Sequence, residues 1–169
     1  MSIVTIFANK LYAVHYEGAD TNELMRLLDL WQDTQYVFDF VTEHEGDLRN
    51  FETVDSVVQE IQKSADEIED ILLEENVANL DEWFKPLDNL QYHEGILAKQ
   101  KGRETYLRIY ALKIEPNCYV VTGGAIKLTQ KMEDREHTSE ELRKLNISRQ
   151  YLQNNGVFDI DSFTEYLEE

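Results

Sequence analysis

Cysteine, proline, glycine and positive charge are all in short supply in this chain. Its 169 residues contain one Cys, two Pro and seven Gly, and 16 Lys and Arg stand against 34 Asp and Glu. A single Cys118 excludes an internal disulfide and suits a reducing compartment. It has no Cys or His neighbour at metal-ligand spacing and reads as structural. With only Pro86, Pro116 and few glycines there is little room for a flexible linker. Residues 1–169 therefore read as one domain, long enough to bury a core without staples. No run approaches the roughly 18 apolar residues of a membrane span. Residues 1–18 lack the basic stretch and long apolar core of a signal peptide. A soluble, cytoplasmic protein is expected. The formal net charge of -18 argues against non-specific binding to double-stranded DNA or to an anionic membrane.

That charge is unevenly spread. Residues 1–90 carry 5 Lys/Arg against 21 Asp/Glu, a net -16, and residues 136–169 carry 3 against 8, a net -5. Residues 91–135 carry 8 against 5, a net +3. A basic island in an acidic chain points to an anionic partner or a phosphate-bearing substrate, or to cations that pair with acidic helices.

Hydrophobic spacing divides the chain into an acidic helical part (20–90), a basic sheet part (95–131) and a C-terminal helical part (138–168). Residues 3–8 and 11–16 are β-branched and aromatic around Asn9-Lys10, predicting a strand or short hairpin. Asp20 and Glu23 have the spacing of a capping box, and helical periodicity runs to Val41 with a break near Asp33-Thr34. Thr53 is placed to cap a second helix, whose polar face bears Asp66, Glu67, Glu69 and Asp70. Such a run reads as a solvated helix face or as a docking surface for a basic partner. A helical turn from Leu80 to Phe84 should stop at Lys85-Pro86. The period then falls to two. Strands are predicted over 106–114, 118–122 and 125–129, with Gly123-Gly124 permitting a bulge or a close backbone approach. Thr138-Ser139-Glu140-Glu141 has capping-box spacing for a helix to Leu152, stopped by Asn154-Asn155-Gly156, and Asp161 should open a last helix. The expected fold class is α+β: an N-terminal strand, two or three helices, a three-stranded antiparallel sheet and C-terminal helices.

His15, His44, His93 and His137 form no ligand pair, and Asp159 to Phe163 lacks the glycine and closing glutamate of a calcium loop, so no metal or other cofactor is implied. What carries chemistry is a basic, tyrosine-bearing set: Lys99, Lys101, Arg103, Arg108, Tyr110, Lys127, Lys131 and Arg135. Phosphodiester cleavage without metal needs a base for the 2′-hydroxyl, cations for the charge on phosphate and an acid for the leaving oxygen. Lys, Arg and Tyr on neighbouring strands can fill those roles, and an aromatic ring can stack on an unpaired base. A polar sheet face with cross-strand aromatic pairs has the same spacing.

The block from Leu107 to Lys131, followed by a helix, resembles the C-terminal half of RelE/HigB-like toxins of bacterial toxin–antitoxin pairs. The matching residues are Arg108, Tyr110, Gly124, Lys127, Gln130 and Lys131, and the β-α-α-β-β-β order agrees with that family's fold. The resemblance implies a ribosome-associated mRNA endonuclease, neutralised by an antitoxin with a helix-turn-helix domain. Arg108 and Lys127 would bind phosphate, Lys131 would add a cation, and Tyr110 would stack or transfer a proton. Lys99, Lys101, Arg103 and Arg135 would hold RNA. The chain departs from the family in its acidity and in its longer helical first half. A non-catalytic protein of the same fold, engaging a basic DNA-binding regulator through Asp66, Glu67, Glu69 and Asp70, is the alternative.

Overall fold

Asn9, in the left-handed region at φ 71°, turns the first strand back on the second. A computed structural model describes residues 1–74, 79–87, 96–128 and 136–169, with 136–138 described by backbone alone. In it β1 (Ser2–Phe7) and β2 (Leu11–His15) form an antiparallel hairpin. Helix α1 (Glu23–Gln32) starts at Asn22, whose side chain accepts the Met25 N–H at 3.1 Å. The expected Asp20–Glu23 capping box is thus replaced by a cap two residues later. Asp33 breaks the helical run as predicted. It ends α1 and caps α2 (Thr34–Glu43), accepting the Gln35 and Tyr36 N–H groups at 3.0 and 3.1 Å.

A capping box between Thr53 and Ser56 begins α3 (Val54–Leu73), whose Val57, Val58, Ile61, Ala65, Ile68 and Leu72 lie on the buried side. The short α4 (Leu80–Trp83) runs into β3 (Phe84–Pro86). Its place is set by the β-turn at Asn117, whose Oδ1 accepts the Leu80 N–H at 2.6 Å. Asp81 returns the contact, accepting from the Asn117 N–H at 3.0 Å and the Tyr119 hydroxyl at 2.5 Å, with Lys113 at 3.4 Å.

Strands β4 (Ala98–Glu104), β5 (Leu107–Glu115) and β6 (Cys118–Ile126) pair antiparallel, and the full sheet runs β1-β2-β6-β5-β4-β3. Two features correct the expected three-stranded antiparallel sheet. The predicted strands 118–122 and 125–129 are one strand as far as Ile126, and β4 precedes them. The N-terminal hairpin also joins the same sheet, because β2 pairs parallel to β6 from Leu11↔Tyr119 to Ala13↔Val121. The result is an α+β fold on a mixed six-stranded sheet.

Helices cover both faces. Leu107, Ile109 and Ala111 join Leu11, Ala13, Tyr119 and Val121 in a core shared with α1 to α4. Tyr110, Leu112 and Ile114 join Tyr12, Val14, Cys118 and Val120 in a second core, closed by Leu145 and Leu152 of α5 (Glu136–Asn154) and Phe163 of α6 (Ile160–Glu168). A bulge joins the two layers. Tyr110 pairs with Gly123 but Ala111 pairs with Val121, so Thr122 is the extra residue and the alternation of β6 inverts after it. Ala125 therefore belongs to the second core and Ile126 to the first.

The C-terminal helices depart from expectation at their starts. Helix α5 begins at Glu136, ahead of Thr138, and α6 is capped by Asp159 in a box with Ser162, leaving Asp161 inside the helix. The predicted stop of α5 is present. Gly156 sits at φ 80°, its N–H donates to Gln153 O at 3.0 Å, and the Val157 N–H donates to Leu152 O at 3.0 Å, a Schellman motif.

Candidate functional site

Register brings most of the expected basic residues together. Lys99, Lys101 and Arg103 alternate along β4 and lie opposite Leu112, Tyr110 and Arg108 of β5. Arg108 in turn lies opposite Ala125 of β6, and Lys127 follows two residues later, its N–H donating to Tyr106 O at 2.6 Å. Cations thus gather where β4, β5 and β6 run side by side. Lys131, Arg135, Gln130 and His93 lie outside the described residues, as does the side chain of His137.

Much of this face is covered. Arg108 and Tyr110 are each 6% exposed and Lys127 is 9% exposed. Arg108 directs Nη1 at two carbonyls, Thr105 O at 2.8 Å and Leu107 O at 2.9 Å, so its guanidinium also secures the β4–β5 turn. Lys99 and Lys101 are half-buried and Arg103 is exposed. Strand alternation separates two faces but says nothing of what covers each. Here the layer of α5 and α6 does so.

On the opposite side, α3 presents Asp66 and Asp70 to solvent, while Glu67 and Glu69 are half-buried. Gln32 of α1 donates Nε2 to Glu69 Oε2 at 2.5 Å and to Asp66 Oδ1 at 3.3 Å. Glu67 reaches Glu104 of β4. Burial first, and then the Glu67 carboxylate, push the Glu104 carboxyl above the usual carboxylate range.

A third group of charges lies outside the set expected from the sequence. Glu23, at the first turn of α1, is 2% exposed and takes a bidentate bond from Arg26, Nε to Oε2 at 2.8 Å and Nη2 to Oε1 at 2.6 Å. Lys144 of α5 also contacts Glu23, lies 3.2 Å from Glu141 Oε2, and sits over the Tyr16 ring at 5.0 Å. Glu141 is buried. Desolvation pushes its carboxyl up, against the opposing pull of Lys144. Tyr16 donates its hydroxyl to Thr122 O at 2.5 Å, beside Ser148 Oγ at 3.1 Å, and burial raises its pKa. The readable signal was a repeated spacing: Glu23 with Arg26, Glu140 with Arg143 and Glu141 with Lys144, each pair three residues apart on a helix.

Among the described residues no cluster of His, Cys, Asp and Glu could hold a metal ion, and no helix is long and apolar enough to cross a membrane. Fold and site define an acidic α+β protein with a mixed sheet between two helical layers, with cations along β4 and at the adjoining ends of β5 and β6. No family model, curated protein or solved structure matches the chain.

Proposed function

We propose that this chain is a toxin or toxin-derived protein of the RelE/HigB type that acts on RNA through the basic end of β4, β5 and β6. The supporting observation is the register, which sets Arg103 opposite Arg108 and Lys101 opposite Tyr110. Like charges directly opposite one another are unfavourable in an isolated sheet. A phosphodiester backbone offsets that cost, because its charge is shared among neighbouring guanidinium and ammonium groups. Arg103, Lys99 and Lys101 are the parts of the group that reach solvent and would meet the RNA first. Arg108 and Lys127 would stabilise charge on the scissile phosphate from below, and Tyr110, packed in the second core, would act by proton transfer and not by stacking. Lys131 and Arg135, beyond the described residues, complete the proposed set. The antiparallel run β4–β5–β6 followed by a helix supports a RelE-like arrangement, with the N-terminal hairpin and α6 as elaborations. The partners on this reading are mRNA on the ribosome and an antitoxin with a helix-turn-helix domain.

Burial decides which variants test the reading. Arg108→Ala removes two hydrogen bonds to backbone carbonyls and leaves a buried gap, so it would lower stability along with any activity. The informative variant is Lys99→Ala/Arg103→Ala, which alters the outer part of the group. Tightly induced expression of the wild type should arrest bacterial growth, and the double variant at equal soluble level should grow. Arrest that survives the double substitution excludes this face as the source of toxicity.

A second reading rests on the exposed Asp66 and Asp70 of α3. With Glu67 and Glu69 they form an acidic helical surface suited to a basic protein such as a DNA-binding regulator. Well-expressed wild type that leaves growth unaffected would favour this non-catalytic role.

A further inference from the structure

The buried charges around Glu23 open onto a cavity of about 350 Å³, lined by Tyr16, Ala19, Glu23, Arg26, Glu140 and Arg143 among others. It lies where the parallel pairing of β2 and β6 ends. That pairing stops at Ala13↔Val121, β6 bulges at Thr122, and the Tyr16 hydroxyl bridges to Thr122 O across the gap. Crevices at the carboxyl ends of parallel strands, between helices on opposite sides of a sheet, are places where small ligands bind. Here α1 lines one wall and α5 the other.

Each wall supplies a guanidinium already fixed in place. Arg26 is held side-on by Glu23, and Arg143 is held the same way by Glu140, Nε to Oε2 at 2.8 Å and Nη2 to Oε1 at 2.6 Å. A side-on pair uses Nε and one Nη2 hydrogen. It leaves the Nη1 hydrogens and the second Nη2 hydrogen available, and neither arginine makes another hydrogen bond among the described residues. The side chains of Arg26 and Arg143 are 36% and 61% exposed, so both can meet a ligand from solvent. Lys144 adds a cation at the inner side, 13% exposed. Ala19, Ile147 and the Tyr16 ring add apolar wall.

We propose that this cavity binds a phosphate ester of about mononucleotide size, its phosphate bridging Arg26 and Arg143 above Lys144. A tetrahedral anion can present different oxygens to the guanidiniums of the two walls, each accepting charge-assisted hydrogen bonds. The volume falls within the range of small-ligand sites, about 300–1,000 Å³. A base or sugar would lie against Ile147 and Ala19. The same phosphate chemistry could come from a free nucleotide or from the phosphorylated end of an RNA chain. The site stands whether or not the basic sheet end cleaves RNA.

The test is calorimetric titration of the full chain with adenosine 5′-monophosphate, adenosine and inorganic phosphate. Saturable binding is expected for the monophosphate, weaker binding for inorganic phosphate and none for adenosine. Arg143→Gln should weaken monophosphate binding by about tenfold or more, the loss of one charge-assisted pair, with an unchanged melting temperature. Lys63→Gln, on the exposed side of α3, should leave it unaltered. Competition against bound adenosine 5′-monophosphate by hexa-adenylate with and without a 5′-phosphate separates the sources and is blind to RNA held at the sheet: displacement by the phosphorylated oligomer alone assigns the site to an RNA end, and displacement by neither assigns it to free nucleotide. No binding of any phosphate, equal binding of adenosine, or undiminished binding by Arg143→Gln overturns the proposal.

Discussion

Gly123 and Gly124 show how two adjacent residues can serve two different surfaces. The bulge at Thr122 turns Gly123 toward α5 and Gly124 toward α1. A Cβ on Gly124 would lie 2.5 Å from the Arg108 carbonyl oxygen and 2.9 Å from Leu27 Cδ1, with the Trp31 ring at 3.0 Å. Backbone cannot step aside, so Gly124→Ala should destabilise the fold by about 1–3 kcal/mol, the range for overpacking a tight core. At Gly123 the obstacle is the Glu141 carboxylate, 2.0 Å from the added Cβ and at the end of a flexible side chain. Gly123→Ala should therefore cost less. Urea unfolding of the two variants checks the order, and a larger loss at Gly123 would contradict it. Two adjacent glycines permit either a bulge or a close approach, and both occur because β6 is covered on each face. Arg108 carries the converse lesson. Its alternation with Leu107 and Ile109 placed it on the correct face, but nothing local revealed that this face is buried.

Among the elements, those with complete local signals were legible. Asp33 as a break, Thr53 as a cap and Gly156 as a stop each depend on side-chain or backbone chemistry within one turn, and each is found where the residues indicate. Strand β4 carries no strand signal of its own, because Ala98-Lys99-Gln100-Lys101-Gly102-Arg103-Glu104 has no apolar alternation. It is held by its neighbours, β5 on one side and β3 on the other. Gly102 supports the packing: a Cβ there would meet the Trp83 ring at 2.0 Å. The joining of β2 to β6 was equally hidden, since it links residues more than one hundred apart. The contact of α3 with β4 also has a measurable consequence. Burial, then Glu67 and Glu60, raise the Glu104 carboxyl, so the folded state binds its proton more tightly than the unfolded chain does. The stability this group contributes is fully present below the ordinary glutamate pKa of about 4.3 and is lost as pH rises through the elevated folded value. Glu104→Gln should thus raise the urea midpoint relative to wild type at pH 7, with the difference fading by about pH 4. An unchanged or lower midpoint at pH 7 would mean that the Glu104 charge is compensated by its surroundings.

Across the whole molecule, a net charge of -18 opposes compaction while local pairs favour it. The two respond differently to salt. The contact of Glu23 with Lys144 is short and largely shielded from solvent, so mobile ions weaken it little. The repulsion among the acidic residues acts over longer distances through water, and is screened once the Debye length falls from about 30 Å at 0.01 M to about 8 Å at 0.15 M. Screening should win. Raising sodium chloride from about 0.01 M to about 0.15 M is expected to increase stability by about 1 kcal/mol, or about 2–4 °C in Tm for a chain of this size. Differential scanning calorimetry at fixed pH would record the shift. A fall in Tm would mean that exposed pairs such as Glu140 with Arg143 outweigh the global repulsion. A flat response would mean that the acidic surfaces lie far enough apart to ignore one another. A rise larger on α3 charge neutralisation than on screening would instead locate the repulsion there: Asp66→Asn/Asp70→Asn should then raise Tm at low salt and add little at high salt. That outcome would mark α3 as a surface whose charge is kept at a cost to the folded state, the physical signature expected of an acidic face that meets a basic partner.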